Sequence, residues 1–177
     1  MSSSPSTSST GNSSSKDEGL GLLKGGRVSQ FNEWRMKNLT VKLNFAREDL
    51  SGKDLSGAYL NGAILTNARL ANANLSNANL VQADLNNANL SGATCTGALF
   101  MYAEMKGANL SGADATRANF MWANLQEADM SNVRMSQTVF VEANLQGANV
   151  AGTDRMAAYL KYAKLEGTPW AGAEAKH

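Results

Sequence analysis

The chain has 177 residues and a formal net charge of +1, with one cysteine, Cys95, and one histidine, His177. That inventory excludes an intramolecular disulfide framework and a cysteine-cluster metal site, and it takes the base away from any Ser–His–Asp or Cys–His relay. It gives no overall electrostatic pull toward nucleic acid or an anionic membrane, and no apolar run approaches the roughly 18 residues that a membrane-spanning helix needs.

Residues 1–16 read MSSSPSTSSTGNSSSK and hold no large apolar side chain apart from Met1. Such a stretch cannot offset the entropy of ordering, so residues 1–19 are expected to form a disordered Ser/Thr-rich tail. The tail lacks the apolar core of a secretory signal. It is Ser-rich and acid-poor like a plastid transit peptide, but it carries no arginine before Arg27. The expected compartment is therefore the cytoplasm, with a plastid as the alternative if the tail is a transit peptide. Residues 20–42 are expected to hold a linker and a capping helix. Val28, Phe31 and Trp34 fall at i, i+3 spacing and give one apolar helix face.

From Phe45 onward the period is five. Leu50, Leu55 and Leu60 open a series that runs through Leu90, continues as Cys95, Phe100 and Met105, and ends at Trp170. Alanine stands two residues before most of these positions, Asn or Asp often lies between, and Gly or Asn recurs two residues after. Five residues advance an α-helix by roughly 140° beyond a full turn, which would wind the leucines round every face. In a straight strand an odd period would alternate them between faces. The chain must turn once per repeat, with Ala and Leu pointing to one side and the Gly or Asn at the corner, where positive φ is tolerated.

Stacked coils of this kind form a solenoid. Phe100, Phe120 and Phe140 are spaced by 20 residues, as are Tyr102 and Trp122, so four repeats make one coil. A three-sided coil would stack Phe100 on Ala115 instead. Residues 43–172 hold 26 repeats in unbroken phase, which make a rod roughly 31 Å long at ~4.8 Å per coil.

The repeat, seen plainly in Ala73-Asn74-Leu75-Ser76-Asn77, resembles the A-(D/N)-L-x-x motif of the pentapeptide-repeat family. The resemblance covers residues 43–172 and implies an all-β fold, the right-handed quadrilateral parallel β-helix, with the Ala and Leu positions inside. Phe31-Asn32-Glu33-Trp34-Arg35 is similar to the short N-terminal helical segment of many bacterial members. Solenoid ends need covering, and Val28, Phe31 and Trp34 are expected to cover the first coil. Thr168-Pro169-Trp170 breaks the pattern at the other end, where Trp170 is expected to close the last coil before a short tail at residues 173–177.

Within the series Cys95 is expected to be a small buried hydrophobe rather than a reactive thiol. Cys95, Ala115 and Met135 stand at equivalent places on successive coils, and Arg155 continues the column. A buried unpaired guanidinium is expensive, so either the coil is open there or Arg155 has turned outward. The acids that precede inward positions, such as Asp84, Glu104 and Asp114, follow the Asn/Asp pattern and suggest structure rather than paired-carboxylate catalysis.

The four walls are not alike. Three carry mainly Ser, Gly, Asn, Asp and Thr outward. The fourth, around Leu60, Leu80, Phe100, Phe120, Phe140 and Leu160, presents Tyr59, Val81, Leu99 and Met101. It continues with Tyr102, Met121, Trp122 and Val139, and closes with Val141, Tyr159 and Tyr162. Contiguous exposed apolar side chains rich in Tyr, Trp and Met mark interface cores. The expected function is a non-enzymatic protein-binding scaffold that engages a protein partner or forms a homodimer through this wall. No cofactor, metal, nucleic acid or small-molecule substrate is expected. The alternative, implied by the family resemblance, is a DNA mimic that protects a topoisomerase. Residues 43–172 carry eleven acidic and nine basic residues. Duplex DNA of the same length would carry about eighteen charges at one per ~1.7 Å, so the alternative ranks second.

Overall fold

The computed structural model describes residues 11–172, with side chains described from Asp17 onward. Two helices, α1 (Gly11–Lys24) and α2 (Val28–Lys37), precede the repeats. The repeats themselves form parallel bridges between residues 20 apart, from Asn44↔Ile64 through to Asn144↔Lys164. Two short strands, β1 (Thr138–Val139) and β2 (Ala158–Tyr159), continue the same parallel register.

Each corner is built from backbone chemistry that the repeat supplies. The inward leucine carbonyl accepts the N–H of the alanine three residues on, as Leu70 does from Ala73 at 3.0 Å. The residue before that alanine takes positive φ, +57° at Asn72, the conformation a type II turn requires at its third position. Coils join through a ladder in which Leu60 N–H donates to Asn79 O at 2.8 Å and Asn79 N–H to Ala58 O at 2.9 Å. Inside, the Leu and Ala positions from Leu50 to Leu145 are buried almost without interruption. Each fully buried Leu contributes about 1.5–3 kcal/mol, and the small Ala lets the chain bend close to its own core.

The Asn or Asp before each inward residue also has a physical cause. Its side-chain oxygen accepts the N–H two residues on, an Asx turn, as Asn119 does from Met121 at 2.9 Å and Asp84 from Asn86 at 3.0 Å. That N–H lies outside the inter-coil ladder, so the side chain supplies the partner it would otherwise lack.

The N-terminal end is closed more thoroughly than the sequence suggests. Helix α1 begins inside the stretch expected to be disordered, because Leu20 and Leu23 are buried and give the helix something to pack on. Residues 1–10 of that expected tail, and the tail at 173–177, lie outside the described residues. Phe31 and Trp34 of α2 are buried and stack with ring centroids 5.8 Å apart. Gly19 of α1 is required beneath Trp34, since an added Cβ would stand 2.7 Å from the indole ring. Asn32 then substitutes for a preceding coil. Its Oδ1 accepts the N–H of Tyr59 at 2.9 Å and its Nδ2 donates to Gly57 O at 2.9 Å. Lys24 ties α1 to the first coil through Glu48 at 2.8 Å.

At the other end Thr168 and Trp170 are buried. Arg155 does not occupy a regular inward place. It opens a short 3-10 turn, Arg155–Ala157, whose N-cap Asp154 accepts the N–H of Met156 at 2.9 Å, and the arginine is left half-buried. The turn resolves the conflict between a guanidinium and an apolar core by taking the residue out of register, and the register resumes at Tyr159 and Lys164.

Candidate protein-binding wall

The wall that contains Phe100, Phe120 and Phe140 has two aromatic stacks, one on each side of its backbone. Inside, Phe100 and Phe120 lie 4.7 Å apart at an interplanar angle of 1°, and Phe120 and Phe140 lie 5.0 Å apart at 10°. Outside, Tyr102 and Trp122 stack at 4.7 Å and 12°. Both follow from the coil repeat, which places equivalent side chains at the offset that aromatic pairs favour.

Outward side chains on this wall fall into three columns. The first holds Tyr59, Leu99, Val139 and Tyr159, with Asn79 and Asn119 between them, joined by the bridges of the ladder. The second runs Val81, Met101, Met121 and Val141 without interruption, all half-buried. The third lies on the corner: Tyr102 and Trp122 are adjacent, Glu142 follows, and Tyr162 comes next. The aromatic residues are the exposed ones, from 41% at Trp122 and 49% at Tyr102 to 72% at Tyr162. Lys161 folds over the Tyr162 ring at 5.0 Å. The structure thus brings the eleven residues expected from the sequence onto one continuous wall, as a graded strip with a half-buried middle and an exposed aromatic corner.

Two features of the strip concern the backbone that carries it. Tyr102, Trp122 and Tyr162 all hold positive φ, between +59° and +62°. This region suits Gly and Asn and disfavours bulky side chains. At the other left-handed corners the occupants are Gly, Asn, Gln, Arg or Glu, and aromatic side chains occur on this wall alone. In addition, Tyr59, Leu99, Val139 and Tyr159 stand where an Asn or Asp would accept an N–H, so the strip forgoes four Asx turns. Both choices give up something that the repeat offers the fold. The five-residue period already puts Tyr102, Trp122 and Tyr162, two residues after Phe100, Phe120 and Leu160, at those corners, and the structure supplies the φ values.

Large apolar side chains outside the strip are few. Met36 and Leu39, exposed beside the N-terminal cap, were not anticipated, and Met156 stands on the 3-10 turn. Charges on the other walls are partly paired along the rod axis, Asp49 with Arg69 and Asp114 with Arg134, each at 2.8 Å. The Arg69 guanidinium holds the Asp49 carboxyl well below the usual carboxylate range. Burial works against the charged form of Asp114, but bonds from Thr116 and Arg134 outweigh it and lower that carboxyl as well. Cys95 is buried, which pushes its thiol up to about 12, with the Asp114 charge adding to the effect. Among the described residues no group of His, Cys, Asp and Glu is arranged to hold a metal ion, and no helix is long and apolar enough to cross a membrane.

The family model for pentapeptide repeats matches eight copies, at residues 44–77, 54–92, 78–114 and 118–154. These cover more than half of the chain, which therefore belongs to the pentapeptide-repeat family and has its right-handed quadrilateral parallel β-helix. Among solved structures the chain is similar to a trypsin-treated variant of QnrB1, a plasmid-mediated fluoroquinolone resistance protein, at 21% identity over 68% of this chain and 76% of that one, with a TM-score of 0.48. It is similar to Rfr23 from the cyanobacterium Cyanothece 51142 at 25% identity, over 74% of this chain and 98% of that one, TM-score 0.42. HetL from Nostoc sp. strain PCC 7120, involved in heterocyst differentiation regulation, matches at 27% identity over 71% and 76%, TM-score 0.31. No curated protein matches the chain.

Proposed function

We propose that this chain is a non-enzymatic protein-binding scaffold that docks its partner on the aromatic wall. One observation carries the proposal. Three aromatic side chains occupy left-handed corners of a single wall, where the backbone favours Gly or Asn and where they are 41–72% exposed. A backbone outlier of this type costs on the order of 1 kcal/mol and persists where something else makes use of it. Tyr and Trp in a contiguous apolar strip are the side chains on which association energy concentrates. The strip alone is smaller than the roughly 800 Å² per partner of a standard interface, so polar neighbours such as Glu142 and Lys161 form its rim.

The experiment compares the native rod with Tyr102→Ser/Trp122→Ser as bait for proteins from the native source. The double variant should keep the melting temperature within a few degrees and lose the bound partner, a weakening of a few kcal/mol. An unfolded double variant would make the two rings structural. A folded one that retains every partner would reduce the strip to neutral variation on a rigid scaffold.

A further inference from the structure

We propose that the occupant of the wall is a second copy of this chain, packed wall to wall with the two rods parallel and their coils in register. The inference rests on the reading of the wall as a docking surface and names the partner.

The two edges of the wall differ, and they differ in a complementary way. Where the chain enters the wall, successive corners carry Gly97, Arg117, Gln137 and Ala157. Where it leaves, the corners of the same coils carry Tyr102, Trp122, Glu142 and Tyr162. One edge carries two small residues, a cation and a neutral amide, and the other is bulky and aromatic with a single acid. Two identical flat faces meet through a two-fold axis that lies in the plane of contact. If that axis runs along the rods, the entering edge of one copy meets the leaving edge of the other at the same height. Gly97 then faces Tyr102 of the second copy, Arg117 faces Trp122, Gln137 faces Glu142, and Ala157 faces Tyr162.

Each of these four pairs fits. Two set a ring against a residue with little or no side chain, one sets a guanidinium against an indole, and one sets an amide against a carboxylate. In the middle columns Leu99 meets Met101, and Val139 meets Val141. If the axis instead runs across the rods, the same edges meet. The ring-bearing corners then meet one another along one side and the entering corners meet one another along the other, so the pairing of rings with small or cationic corners is lost.

Charge favours the same arrangement. Among the described residues neither Arg117 nor Glu142 has an opposite charge to pair with, since Arg117 Nε donates only to the neutral Gln137 Oε1 at 3.1 Å. In the parallel dimer Arg117 stands one coil, ~4.8 Å along the rod, from the Glu142 of the second copy. The contact is small. Six coils span about 29 Å, which places the dimer below the standard interface size and among weak, reversible associations.

Sedimentation equilibrium of the full chain, from about 5 to 500 µM, tests this. The native protein should show a reversible monomer–dimer equilibrium. Arg117→Glu and Glu142→Arg should each weaken it at least tenfold, since each sets like charges across the interface. The double variant Arg117→Glu/Glu142→Arg should recover association to within about threefold of native. Circular dichroism should show all three folded, because Arg and Glu already occupy left-handed corners at Arg47 and Glu127. A monomer throughout the range overturns the proposal, and so does a dimer that neither single variant weakens or that the double variant fails to restore. A monomer that still captures a different protein, lost in Tyr102→Ser/Trp122→Ser, removes the second copy and leaves the wall as a docking surface.

Discussion

The wall of Phe100, Phe120 and Phe140 and the wall before it, which carries Cys95, Ala115 and Met135, share one backbone, one turn and one hydrogen-bond ladder. They fill it in opposite ways. The first holds Phe100, Phe120 and Phe140 inside and is apolar outside; the second runs from the small Cys95 and Ala115 to the larger Met135 inside and is polar outside, with Thr96, Thr116 and Ser136 facing out. In two of these coils a small residue immediately precedes the large one round the square, Cys95 before Phe100 and Ala115 before Phe120, while Met135 precedes Phe140 in the third. The ladder limits the cross-section of the rod, so the small Cys95 and Ala115 leave room for the phenyl rings of Phe100 and Phe120 in the same layers. Inward choices are thus coupled across walls. Outward choices are coupled to the fold only through the Asx position and the corner, and the aromatic strip departs from the repeat at those two places.

Removing the largest inward group tests the first half of that contrast. Phe120 is buried and stacked on both faces, so Phe120→Ala should lower unfolding free energy in denaturant titration by about 3–5 kcal/mol. A loss below ~1 kcal/mol would mean that the coils close around the gap and that the cross-section is not fixed.

Adding volume to the adjacent wall sharpens the coupling. Ala115→Leu should cost about 1–3 kcal/mol by overpacking. Ala115→Leu/Phe120→Leu should be less destabilised than the two single changes added together, because it returns the layer to its more common Leu/Leu filling. Strict additivity in the double-mutant cycle would show that neighbouring walls pack independently.

On the outside the same contrast predicts near-silence. Tyr102→Asn/Trp122→Asn relieves two strained corners and loses one exposed stack worth about 0.5–1.5 kcal/mol, so the net change in stability should stay within ~1 kcal/mol of zero, in either direction. Association should weaken by tenfold or more in the same protein. A large fall in melting temperature would place the strip with the core rather than with a partner.

The smallest effect belongs to the polar walls. The Asp49 and Asp114 carboxyls titrate lower in the folded chain than in the unfolded one, so the unfolded state binds more protons at acid pH. Their contribution is fully present above the unfolded value of about 4 and is lost as pH falls through the lower folded values. A melting-temperature profile should be flat from neutrality to about pH 5 and fall below about pH 4. Arg69→Gln should flatten that fall slightly, since Asp49 and Arg69 are exposed and largely screened.

The sequence by itself determined the period, the square coil and the division into inside and outside. A strict five-residue repeat leaves no other way to bury every leucine, and residues spaced by 20 declare which ones stack. The same logic placed Trp34 and Trp170 at the two ends and gathered the strip residues onto one wall. Only the tertiary structure decided the rest. It extended helix into the Ser-rich N-terminal region through the burial of Leu20 and Leu23, and it took Arg155 out of register with a short 3-10 turn. It placed Asn32 where a missing coil would have hydrogen-bonded. These outcomes depend on contacts between segments far apart in the chain, and on backbone angles that side-chain identity restricts but does not fix. A local repeat specifies the coil, while the ends and the exceptions are settled by what each segment meets once the coils have stacked.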